Sequence, residues 1–172
     1  MLSENLERAL NEQINAEFWS AYLYLSMSAH FANNAMPGIG NWFKVQFQEE
    51  QDHALMFMNY LISKGNKVEL KPIKDVKISW NSPLEAFEDT LNHEREVTRL
   101  IHNLVAMARE EKDFATENML QWFVKEQVEE EDNAQSMIDA FKLIGDNGMG
   151  IYMMDKDLAS RSYISPTSSE AL

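Results

Sequence analysis

Four long stretches of this sequence carry apolar residues at alternating spacings of three and four, the period of a helix that buries one face. Each stripe is broken near its middle by a carboxylate. The first runs Leu6, Leu10, Gln13, Glu17, Ser20, Tyr24, Met27, Phe31, and the second Ile39, Phe43, Gln46, Glu50, His53, Phe57, Tyr60. The third runs Leu84, Phe87, Leu91, Glu94, Thr98, Ile101, Val105, Ala108, and the fourth Leu120, Phe123, Gln127, Glu130, Ala134, Met137, Phe141, Ile144. Four such stripes dictate an all-α chain whose helices bury their seams against one another. Glu17, Glu50, Glu94 and Glu130 then stand where the core of a bundle wants leucine.

Local signals set the helix limits. Ser3 is placed to cap the first helix, which the Asn33, Asn34, Pro37, Gly38 cluster ends, and Pro37 suits the first turn of the second. The second helix is expected to stop near Lys64 and Gly65. Ser82, Pro83 and Glu85 supply an N-cap, a proline at the first helical position and a capping-box acid for the third. That helix should end near Glu111, with Asp113 capping the fourth and Gly145 stopping it. Gly145, Gly148 and Gly150 allow a bend before a short fifth helix, expected over about residues 151–161.

Two of the connections are tight turns, but about 16 residues, Asn66 to Asn81, separate the second helix from the third. A helix of roughly 28 residues is about 42 Å long, and an extended segment of roughly 16 residues reaches about 53 to 58 Å. The connection can therefore traverse a whole bundle. Val68, Leu70, Ile73, Val76, Ile78 and Trp80 mostly alternate with polar residues along it, as an extended segment requires. The expected architecture is a four-helix bundle with a long crossover that makes the second and third helices parallel. In such a bundle the four mid-helix glutamates converge on one layer.

Burying an ion costs several kcal/mol even after relaxation, and the seams hold no Lys or Arg to offset it. Two divalent cations would bring four positive charges to the four of Glu17, Glu50, Glu94 and Glu130. His53, three residues after Glu50, adds a nitrogen donor, and an oxygen-rich set suits iron or manganese. With no cysteine in the chain, thiolate zinc sites, Cys-bound clusters, disulfides and cysteine nucleophiles are excluded. A formal net charge of -13 points to cations as guests and away from nucleic acid. A start without a basic segment leading into an apolar run, and the lack of any stretch near the roughly 18 apolar residues of a membrane span, make a cytoplasmic, membrane-free protein the expectation.

The same residues carry a family resemblance. One Glu from each of two helices and Glu-x-x-His from a third is nearly the plan of ferritin-like di-iron bundles. The chain resembles a bacterial non-haem ferritin in Asn11-Glu-Gln-Ile-Asn-Ala-Glu17, Gln48-Glu-Glu-Gln-Asp-His53, His93-Glu94 and Gln121-Trp-Phe-Val-Lys-Glu-Gln-Val-Glu-Glu-Glu131. Gln127-x-x-Glu130 replaces the second Glu-x-x-His, as in non-haem ferritins. Gln51 follows Glu50 where haem-binding relatives carry methionine, so no haem is expected.

The resemblance implies roles residue by residue. Glu17, Glu50 and His53 would hold one iron, and Glu50, Glu94 and Glu130 the second, with Glu50 bridging and Gln127 hydrogen-bonding nearby. Glu49, Glu126 and Glu129, with Glu130, match a third iron position. Tyr24 matches a tyrosine beside the iron centre. Glu117 matches a pore acid of animal ferritins, but Leu120 replaces its companion. The implied protein is an iron-storage ferroxidase that takes Fe(II) and dioxygen and mineralises Fe(III) inside a homo-oligomeric shell of 24 subunits. Residues 1–161 would form its ferritin-like di-iron domain and residues 162–172 a flexible tail. The alternative is a di-iron oxidoreductase or peroxide reductase without storage. Against it stand the absence of a cysteine-bound iron domain and a chain short for a substrate pocket.

Overall fold

The computed structural model describes residues 1–165, and among these it contains five α-helices and no strand. They are α1 (Glu4–Asn33), α2 (Pro37–Ser63), α3 (Pro83–Glu110), α4 (Phe114–Ile144) and α5 (Gly148–Leu158). The chain divides into two compact units, one of Met1–Leu10 with Asn81–Gly145, the other of Asn11–Trp80 with the segment from Asp146 onward.

The caps are where the sequence puts them. Ser3 Oγ accepts from Leu6 N at 3.1 Å, Ser82 Oγ from Glu85 N at 3.1 Å, and Asp113 Oδ1 from Thr116 N at 3.0 Å. Glu85 reaches back to the backbone N–H of Asn81 at 2.8 Å, one residue before the cap. The left-handed turn that closes α1 falls on Ala35 (φ 59°), while Gly145 (φ 56°) ends α4 as expected of a residue without Cβ. The fifth helix starts earlier than its glycines suggest. Asn147 Oδ1 accepts from Met149 N (3.0 Å) and Gly150 N (3.1 Å), so two glycines that read as a bend lie in the first turn.

In the first unit α3 packs along α4. Phe87 stacks on Phe141 with ring centres 5.4 Å apart. The α3 seam turns slightly from the expected register: Val97 and Leu104 are buried in place of Thr98 and Val105. In the second unit α1 and α2 form a hairpin closed by Tyr24 and Phe31, both stacked on Phe43 at 6.2 and 5.7 Å.

The long connection follows α1 by hydrogen bonds rather than by apolar contact alone. Asn11 Nδ2 donates to Lys67 O (2.9 Å), and its Oδ1 accepts from Glu69 N (2.7 Å). Asn15 repeats this with Glu69 O (3.0 Å) and Lys71 N (2.6 Å). Trp19 Nε1 donates to Asp75 O, Ser26 Oγ to Lys77 O, and Trp80 meets the His30 ring at 5.4 Å. An extended strap with no neighbouring strand must satisfy its backbone somewhere, and two asparagines on the outer face of α1 act as its sheet edge. Trp80 is buried, whereas Leu70, Ile73 and Ile78 are exposed.

The fifth helix docks on the start of α2. Asp155, buried, accepts from Ile39 N through Oδ1 at 2.8 Å. A Cβ built on Gly38 would lie 1.6 Å from the Asp155 carbonyl oxygen, so only glycine permits this approach. Gly38→Ala should therefore force α5 off α2. We expect a loss of about 1–3 kcal/mol of stability in denaturant unfolding, with increased amide exchange confined to α5 and the first turn of α2. Unchanged exchange in α5 would contradict this docking.

Candidate metal centre

Side chains from two elements meet in the α1–α2 hairpin. Glu17 of α1 and Glu50 and His53 of α2 each offer a ligand atom, and these atoms all lie within 4.8 Å of one another. All three residues are buried, Glu17 to 1 % exposure, Glu50 to 2 % and His53 to 3 %. Helical geometry explains the second pair, since residues three apart share a face: His53 Nδ1 lies 3.3 Å from Glu50 Oε2. Glu17 Oε1 accepts from Gln13 Nε2 at 2.8 Å, one turn earlier on α1. Two carboxylates and an imidazole at this separation form a hard-to-borderline donor set of the kind that binds a first-row divalent cation. Tyr24, two turns beyond Glu17, is fully buried with its ring stacked on Phe43.

The other expected residues lie in the unit of α3 and α4, where they form a group of their own. Glu94, Gln127 and Glu130 are buried on the facing seams. Gln127 Nε2 donates to Glu94 Oε2 (3.1 Å), to the Glu94 carbonyl oxygen (3.2 Å) and to Thr98 Oγ1 (3.3 Å). Sequence reasoning missed the link beyond Thr98, whose Oγ1 donates to Glu131 Oε1 at 2.6 Å, so a chain of hydrogen bonds runs from a buried carboxylate to a half-buried one. An open groove of about 520 Å³ reaches this network, lined in part by Thr98, Gln127, Glu129 and Glu131. Thr98 stood in the stripe, and its hydroxyl was the available signal.

The three residues expected at a third iron position have different surroundings. Glu129 is exposed and Glu126 half-buried on α4. Glu49 is half-buried on α2 and ion-paired, its Oε2 lying 2.9 Å from a guanidinium nitrogen of Arg161. Arg161 is the last basic residue of the chain, and its spacing from Glu49 gives no local signal of their pairing. Glu117, matched by resemblance to a pore acid, accepts from Arg109 at 2.6 and 3.0 Å, and Leu120 is fully buried. Trp122 packs edge-on against Phe123. No helix among the described residues is long and apolar enough to cross a membrane.

Comparison with known proteins decides the family. Residues 7–144 match the model of the ferritin-like domain. The chain belongs to the ferritin family. A bacterial non-heme ferritin of Bacteroides fragilis is 45% identical over 161 residues, covering 94% of this chain and 100% of that protein. One of Staphylococcus aureus is 39% identical over 163 residues, covering 95% and 98%. Among solved structures, a closed form of the Archaeoglobus fulgidus ferritin, engineered by site-directed mutagenesis, superposes with a TM-score of 0.94 at 45% identity, over 95% of this chain and 100% of that one. The open pore ferritin of the same archaeon gives 0.93 at 46% identity, over 94% and 100%. The fold is thus the expected ferritin four-helix bundle with a short fifth helix.

A cation held by Glu17, Glu50 and His53 would stabilise the folded state by mass action, by about 2.7 kcal/mol at a hundredfold excess over its Kd. Glu50→Gln keeps the shape and removes the charge. Without metal it should melt at or above the wild-type temperature, because a buried ion has been discharged. Its rise in Tm on adding Zn(II) should fall below a third of the wild-type rise. Equal metal-induced rises in the two proteins would refute the assignment.

Proposed function

We propose that this ferritin stores iron and is a ferroxidase. It oxidises Fe(II) with dioxygen at a di-iron centre within each subunit and holds Fe(III) as mineral inside a shell of 24 copies. The observation that carries the reading is the buried convergence of Glu17, Glu50 and His53. The printed names of the relatives, non-heme ferritins aligned over nearly their whole length, support it. In this reading Glu17, Glu50 and His53 hold one iron, and Glu50, Glu94 and Glu130 the other. Gln127 orients Glu94, and Tyr24 stands beside the pair. No haem takes part.

Iron is substrate here, and the chain supplies charge and geometry. Anionic oxygen donors gain more from Fe(III) than from Fe(II), because the interaction scales with the cation's charge. They lower the potential and favour loss of an electron. Each Fe(II) gives up one electron. Two ions held together deliver two to one dioxygen, taking it to the peroxide level, 2 Fe(II) + O₂ + 2 H⁺ → 2 Fe(III) + H₂O₂, and two further Fe(II) with two protons would take that peroxide to water. The acidic surplus of the chain favours the approach of cations.

Glu50→Ala should slow the rapid phase of Fe(II) oxidation in stopped-flow absorbance by at least about a hundredfold, on the scale of losing a principal electrostatic group. The particle size should stay that of wild type. Oxidation at the wild-type rate would sink the assignment of Glu50. Size-exclusion chromatography with iron loading tests storage: a particle of several hundred kilodaltons that takes up far more iron than two or three ions per chain is expected, and a small oligomer with stoichiometric metal would overturn it.

A further inference from the structure

After α5 the chain turns back along α2 and is fastened there residue by residue. Asn41 Nδ2 donates to the carbonyl oxygens of Leu158 (3.2 Å) and Arg161 (2.9 Å). Arg161 donates to the Trp42 carbonyl oxygen (3.2 Å), to Gln46 Oε1 (2.6 Å) and to Glu49 Oε2 (2.9 Å), and its guanidinium lies 4.6 Å from the centre of the Trp42 ring. Three residues on from Glu49, Asp52 accepts from the Tyr163 hydroxyl and from Ser165 Oγ, the latter at 2.8 Å. Residues 162–165, expected to belong to a flexible tail, thus carry two side-chain bonds to α2, while the rest of that tail, 166–172, lies outside the described residues. Burial and the bond to Asp52 push the Tyr163 phenol above its ordinary pKa, so it stays a neutral donor.

Trp42, Gln46 and Glu49 recur at helical spacing and present a carbonyl, an amide oxygen and a carboxylate to one planar cation. Arginine stays charged at every accessible pH, and its fork of donors fits such a set as a lysine cannot. A metal ion on Glu49 would share a carboxylate whose Oε2 already accepts from Arg161 at 2.9 Å, and would stand beside a fixed positive charge.

We infer that Arg161 is a resident cation paired with Glu49 where a metal ion would otherwise bind, so that a third iron is held there weakly until the segment 159–165 lets go. The inference rests on the ferroxidase reading and deepens it by naming what controls the third position. It makes Arg161 a positioning residue that sets the number of metals bound. In the native protein two ions bind tightly per chain and a third weakly. Filling of the third position and release of the segment favour one another, because a metal ion and Arg161 repel each other at the same carboxylate.

The test is anaerobic titration calorimetry of the intact protein with Zn(II), a redox-inert probe, on wild type, Arg161→Gln, Glu49→Gln and the double variant. Wild type should show two tight ions per chain. Arg161→Gln should keep both and tighten a third by about fivefold, the scale of a partly exposed ion pair. The double variant should lose that gain. In parallel, an arginine-directed dicarbonyl reagent, read by mass spectrometry, should modify Arg161 faster in Glu49→Gln, and faster in wild type once Zn(II) fills the third position. Two tight ions with an unchanged third in Arg161→Gln, or modification indifferent to Zn(II) and to Glu49→Gln, overturns the inference and leaves the ferroxidase reading standing. Fewer than two tight ions in wild type overturns both.

Discussion

The desolvation of Glu17 and Glu50 is the constraint on which this hairpin turns. Two carboxylates with a few per cent of their surface exposed and atoms within 4.8 Å of each other and of His53 cannot be explained by packing. A leucine at either position would stabilise the hairpin more, since buried charge is costly unless compensated. The aromatic stack of Tyr24, Phe31 and Phe43 supplies the apolar burial that holds α1 on α2 in spite of that cost. The fold carries the acids, and a cation bound between them would offset their cost.

Around this hairpin the remaining elements of the same unit are attached by polar devices more than by core. The connection from α2 to α3 is an extended strap whose backbone groups are matched by Asn11 and Asn15, while much of its apolar side-chain surface stays exposed. α5 is attached through one buried aspartate and one glycine. The segment beyond it is attached through Arg161, Tyr163 and Ser165. Such attachments concentrate specificity in few atoms. A single substitution at Gly38 or Arg161 can alter the placement of a whole segment without touching the helices beneath.

The α3–α4 unit shows a second way of keeping an acid buried. Glu94 accepts from the Gln127 amide, which is held in turn by Thr98, and Thr98 donates to Glu131 nearer the surface. Three contacts from one amide nitrogen fix its direction and so orient the carboxylate it serves. The resemblance to non-haem ferritins implies a hydrogen-bonding role beside iron for Gln127; its amide nitrogen donates to Glu94 and to Thr98. The register of α3 was less legible. Val97 and Thr98 satisfy the helical period almost equally well, and only packing against α4 selects the valine for the core.

The sequence by itself determined the helices, most of their caps and the positions at which carboxylates enter apolar seams. Those features depend on interactions within four or so residues, which spacing and side-chain chemistry express directly. Tertiary structure alone decided that Asn11 and Asn15 hold the strap and that Arg161 sits on Glu49. The last pair is separated by 112 residues. No local period links such partners. Their meeting depends on how the chain turns after α5, which Gly38 and Asp155 settle by close backbone approach and one buried hydrogen bond.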